Sequence, residues 1–143
     1  MSDSRANWKI TFRYHPLYDI VEASFENCIL QSIEDVHAWE KEVSTKLGAF
    51  GKRVDLLIDL SGLVVKAKAG PAFGQARARV LKRFVNHSTR YHGDPTTKTA
   101  VLTSAVLHHI DANIYESREA ALQALLRLKK EGEAKKGTTS SGS

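Results

Sequence analysis

Large apolar residues alternate with polar ones from Trp8 to Tyr14, which puts Trp8, Ile10, Phe12 and Tyr14 on one face of a half-buried strand. His15-Pro16-Leu17 breaks the pattern, and alternation resumes over residues 18–25 through Tyr18, Ile20, Ala23 and Phe25. The two runs predict a β-hairpin. Ser32-Ile33-Glu34-Asp35 has the spacing of a capping box, and Val36, Trp39, Val43 and Leu47 recur at helical steps, so residues 33–47 predict an amphipathic helix stopped near Gly48. Residues 54–60 are almost continuously apolar, as in a central strand covered on both faces. Pro71 suits the first turn of a second helix, with Phe73, Ala76, Val80, Leu81 and Phe84 inward and Arg79, Lys82, Arg83 and Asn86 outward. The pattern then predicts a polar loop over 87–97, a buried strand over 98–104, a short element through Val106, Leu107 and Ile110, and a brief strand at Asn113-Ile114-Tyr115. A last helix follows, capped by Ser117 and carrying Ala121, Leu122, Leu125 and Leu128 on its apolar face. Strands separated by helices imply parallel pairs joined by right-handed crossovers in a mixed sheet.

Composition narrows this to a globular chain. Its 143 residues, 42% of them hydrophobic, fit one domain over 8–130, between a flexible start at 1–7 and a disordered polar tail at 131–143. No apolar run approaches the roughly 18 residues that cross a bilayer. The first residues lack the apolar stretch of a signal peptide. Cys28 alone excludes an intramolecular disulfide framework and a multi-cysteine metal site, so a cytoplasmic location is expected. The net charge of +5 is uneven: residues 1–50 hold 5 Lys/Arg against 8 Asp/Glu, and residues 51–98 hold 10 against 3. An acidic protein, a nucleic acid or an anionic membrane would feel that basic middle third, although a solvated helix face accounts for the same charges.

The chemistry concentrates where the central strand ends in Asp59-Leu60-Ser61-Gly62 and Gly70 opens the second helix eight residues later. Asp59 is expected to cap the loop at Ser61 or Gly62 through an Asx-type turn. A helix start favours anions, and Lys66 and Lys68 reinforce it. Pro71 offers no N–H and no Gly-Lys-Ser/Thr follows, which excludes a P-loop. Arg79, Lys82 and Arg83, with Arg77 at their border and Arg90 beyond, form a basic helix face. It lacks the second helix of a helix-turn-helix and the interleaved aromatics of a single-strand binder, so nucleic acid is not the expected partner. His87, His92, His108, His109 and Asp111 lack the paired short spacing of a zinc site and are expected at or near the surface. Ser61 lacks the Gly-x-Ser-x-Gly elbow, Cys28 reads as packed, and Asp55 and Asp59 share a strand face at period two. Neither an enzyme nor a cofactor or metal is expected.

The element order, Asp59-Leu60-Ser61-Gly62, the in-register Gly70, the strand-like Thr99-Ala100-Val101-Leu102-Thr103 and the closing Ile114–Leu122 segment together resemble the STAS domain, and especially its SpoIIAA-like (STAS/Sec14-type) group. The likeness spans roughly residues 8–128. It implies an α/β fold with a mixed, mostly parallel sheet of four to five strands, an N-terminal hairpin and packed helices. It also implies a bacterial signalling or regulatory module of the anti-sigma-factor-antagonist kind. In antagonists an Asp-Ser-Ser before the second Gly includes the phosphorylated serine; here Ala67-Lys68-Ala69 stands there, so a phospho-switch is not expected. The expected contact surface is the 62–70 loop, the first turn of the next helix and its basic face, meeting a protein with an acidic surface. Two alternatives stay open: a carrier of an anionic or lipid-like ligand, and a homo-oligomer paired through the hairpin edge.

Overall fold

The computed structural model describes residues 4–141, with side chains over 5–134. Residues 1–3 and 142–143, parts of the expected flexible start and polar tail, lie outside the described residues. The protein is α/β, with seven strands and four helices: β1 Lys9–His15, β2 Ile20–Glu26, β3 Cys28–Leu30, α1 Ile33–Gly48, β4 Val54–Asp59, β5 Leu63–Val65, α2 Gly70–Phe84, β6 Val85–Tyr91, α3 Pro95–His108, β7 Ile114–Tyr115 and α4 Arg118–Ser141. A turn of 3-10 helix, Ser4–Asn7, precedes β1. The backbone of α4 runs on to Ser141 through the stretch read from composition as a polar tail.

The main sheet has the order β1-β2-β4-β6-β7. The hairpin β1–β2 is antiparallel, and β2–β4, β4–β6 and β6–β7 are parallel. Two apolar cores lie on its two faces. One holds Phe25, Trp39, Phe73 and Val101, with Trp39 packed between the Phe25 and Phe73 rings at 6.4 and 5.2 Å, under α1, α2 and α3. The other gathers Ile20, Leu57 and Tyr91 against Ala121, Leu122 and Leu125 of α4. Strand β4 serves both, with Leu56 in the first core and Leu57 in the second, which is why its sequence is a nearly unbroken apolar run.

The signals at α1 hold: the Ser32 hydroxyl accepts from the Asp35 N–H at 3.1 Å, and Asp35 in turn accepts from the Gln31 N–H at 2.9 Å. Two expectations are corrected. Residues 85–91, most of them assigned to a loop, form the strand β6 between β4 and β7, and residues 98–104, expected as a strand, lie inside α3, as do Val106 and Leu107. The polar strand is tolerated because its buried groups are bonded: Thr89 Oγ1 donates to the Ala121 carbonyl at 2.8 Å, and Asn113 Nδ2 donates to the Ser88 carbonyl at 3.0 Å. The helix is set by Asp94, whose carboxylate accepts from the Thr97 N–H at 2.8 Å, with Pro95 in the first turn.

A smaller parallel pair, β3–β5, carries the chain away from the end of β4. Gly62 makes that crossing: a Cβ on it would stand 1.7 Å from the Phe25 carbonyl oxygen, so only glycine lets the two backbones approach. Its own carbonyl accepts from the Cys28 N–H at 3.0 Å and starts the pair. No described helix is long and apolar enough to cross a membrane.

Candidate interaction surface

The loop singled out in the sequence lies at the C-terminal ends of β4 and β6. Asp59 plays the expected part, its carboxylate accepting from the Ser61 N–H at 2.9 Å, and it also meets His92 Nδ1 at 3.2 Å. Ser61 is exposed and makes no nucleophilic pairing. Lys66 and Lys68 are exposed, and neither makes an ion pair among the described residues. Gly70 has an ordinary helical φ of −52° and open space where a Cβ would stand, so packing does not require glycine there. No side chain caps the start of α2; Pro71 brings no N–H there, and the Gly70 N–H donates to the Ala67 carbonyl of the preceding turn.

The predicted basic face does not join this loop. Arg79 is held by Glu40 of α1 through two hydrogen bonds of 2.7 Å, and Arg83 lies over the Phe84 ring at 5.1 Å. Lys82 and Arg83 sit near the far end of α2, about 20 Å from Gly70 at 1.5 Å per residue. Arg77 and Arg90, expected near the basic surface, are interior groups at 5% and 1% exposure. Arg77 donates to Ser104 Oγ and the Asp111 carbonyl, and Arg90 to the Ala112 carbonyl and Ser88 Oγ, so both fasten the segment after α3. Burial lowers Arg77 to about 10 and Arg90 well below its ordinary value. The histidines are also dispersed: His87 bonds Asp55, His92 bonds Asp59, and His109 ends α3 at a left-handed φ of 52°. Among the described residues no three His, Cys, Asp or Glu side chains gather to hold a metal ion. Cys28 is buried, and loss of solvent pushes its thiol up to about 11.

What the sequence did not reveal is the neighbour of the loop. Helix α3 packs on α2 so closely that a Cβ on Gly74 would lie 3.0 Å from Ser104 Cβ. Above that contact runs a groove of about 280 Å³, with Lys66, Gly70 and Pro71 on one bank and Ala100, Thr103 and Leu107 on the other. Beyond the groove, α3 turns Leu102, Val106 and Leu107 to solvent at 52%, 75% and 67% exposure. Together with Thr99 and Thr103 these fall within an arc of about 140° on the helix. From Pro95 to His108 the helix carries one lysine and no other charged side chain. An outward helix face ordinarily carries charge; this one is uncharged and borders a groove lined by Lys66.

The interior is nearly full. The space enclosed by α1, α2, α3 and the sheet amounts to about 40 Å³, far below the roughly 300 Å³ that a lipid-sized ligand needs. No protein-family model matches the chain, and no curated protein matches it either.

Proposed function

We propose that this protein is a STAS-like regulatory module that works by docking a protein partner and performs no chemistry of its own. The observation that carries this reading is the bare, uncharged face of α3, with Leu102, Val106 and Leu107 exposed next to a groove lined by Lys66, and with Lys68 exposed two residues on. The partner is a protein presenting apolar side chains ringed by carboxylates. Its apolar residues cover α3, and its acidic groups meet the lysines. Charge at the rim sets the rate and salt dependence of docking, while the covered apolar face supplies most of the affinity. The element order and the Asp59-Leu60-Ser61-Gly62 turn support the STAS-like assignment. Ala67-Lys68-Ala69 in place of a phosphoacceptor supports constitutive rather than phosphate-gated docking.

The test is quantitative affinity capture from cells of the source organism, compared across variants at low and high salt. A single protein lost at least about tenfold with Lys68→Glu and with Leu107→Glu, yet kept with Arg83→Glu, is the expected outcome. Equal recovery with all three variants overturns the reading. A light-scattering mass near a multiple of 15.9 kDa that returns to 15.9 kDa in Leu107→Glu would instead assign the α3 face to self-association.

A further inference from the structure

At the opposite end of β4 and β6 a second cavity opens, of about 690 Å³, under the first residues of both strands. Four separate parts of the chain build its floor through one continuous polar chain. Tyr14 donates its hydroxyl to Asp19 Oδ1 at 2.9 Å. Lys129 of α4 donates to the Asp19 carbonyl oxygen at 2.7 Å and to Oδ2 at 3.1 Å, and lies 3.7 Å from Asp55 Oδ2. Asp55 Oδ1 meets His87 Nδ1 at 2.9 Å across the paired strands. Asp19 holds this place at a left-handed φ of 53°, a strained position that the Tyr14 hydroxyl and Lys129 secure.

Both floor carboxylates are thereby occupied, and the hydrogen bonds from Tyr14 and Lys129 hold Asp19 below its ordinary range. Three groups keep hydrogen-bonding capacity: the donors Lys52 and Arg53, and Nε2 of His87, an acceptor in the neutral ring because Nδ1–H donates to Asp55. Lys52 reaches Asp19 only at 3.5 Å. Arg53 bonds two neutral carbonyls, those of Lys82 at 2.5 Å and Val85 at 3.1 Å, and pairs with no carboxylate among the described residues. His87 has its Nδ1 committed, while Nε2 makes no hydrogen bond among the described residues. Val21, Phe50 and Val54 supply apolar wall, and Glu133 adds a second exposed carboxylate to the lining beside Asp19.

We propose that this cavity binds a small organic carboxylate with a compact apolar body. Its carboxylate is held by Lys52 and Arg53, its body lies on Phe50, Val21 and Val54, and His87 Nε2 meets a polar substituent. The volume falls within the range of ordinary metabolite sites, and the wall has the expected mixture of apolar surface with a few fixed polar groups. The site is separate from the docking face, so either can fail without the other.

Titration with benzoate, followed by amide shifts in two-dimensional NMR at constant ionic strength, tests the proposal, with benzamide as the uncharged isostere. Saturable shifts over residues 52–55 and 86–87, with a dissociation constant on the order of 1 mM, are expected. Benzamide, and benzoate with Lys52→Glu, should bind about tenfold more weakly while the Lys52→Glu spectrum keeps its dispersion. Equal binding of benzamide, shifts centred on residues 66–70, or no saturable shift overturns the proposal.

Discussion

Glu22 joins more of the chain than its sequence position suggests. It lies between the buried Val21 and Ala23 of β2, yet Arg118 donates to both its oxygens at 2.9 and 2.8 Å, Tyr91 donates to Oε2 at 2.9 Å, and His15 Nε2 lies 2.8 Å from Oε1. Those bonds, Arg118's first, overcome the loss of solvent and hold the carboxyl at about 2 against an ordinary 4.5. The folded-state value is depressed, so the stabilisation is complete above about pH 4.5 and fades as pH falls toward 2. Glu22→Gln should lower the unfolding free energy by about 2 kcal/mol at pH 7, and the gap to wild type should shrink steadily below pH 4.5 in urea unfolding curves. A pH-independent gap would assign the loss to packing. The partners of Glu22, from 7 to 96 residues away, are not legible in the alternation of β2.

Elements with a strong period were legible, and those whose burial is shared with polar groups were not. The hairpin, α1, β4, α2 and α4 all announce themselves through spacing and caps. Strand β6 carries Asn86, His87, Ser88, Thr89 and Arg90, a composition that reads as loop until its hydrogen bonds to α4 and with the 111–113 segment are known. Helix α3 is rich in Thr and Val, which favour strands. The outweighed local signal was Asp94-Pro95, a cap followed by a first-turn proline. Asp94→Ala should therefore lower stability by about 1 kcal/mol and loosen the start of α3, seen as faster amide exchange at residues 97–99. Unchanged exchange there would mean that packing on α2 alone sets the helix. The misreading also bears on function: the segment looked covered on both sides because its composition suits burial, and the structure leaves one side bare. Of the expected site, the Lys66–Gly70 loop was legible as a place. Its separation from Arg79, Lys82 and Arg83 depended on which way α2 faces α1, which residue types alone do not state.

Across the whole molecule, β4 connects the two proposed sites: Asp55 borders the lower cavity and Leu60, just past the strand, leads into the docking loop, about 17 Å away at 3.3 Å per residue. The front of the sheet is covered by three helices, whereas the core on its back is closed by α4 alone. That asymmetry fixes an order of events during synthesis. The ribosome releases α4 after the strands it covers, so until then Leu57, Tyr91 and the Glu22 carboxylate face water without Leu125 or Arg118. Stalled nascent chains ending before Arg118 should stay sensitive to protease, and chains long enough to expose residues through Lys129 should become resistant in one step. Gradual protection from β6 onward would show that the front half matures by itself. In the cell, then, the interval before α4 emerges is when this protein is open to capture by chaperones.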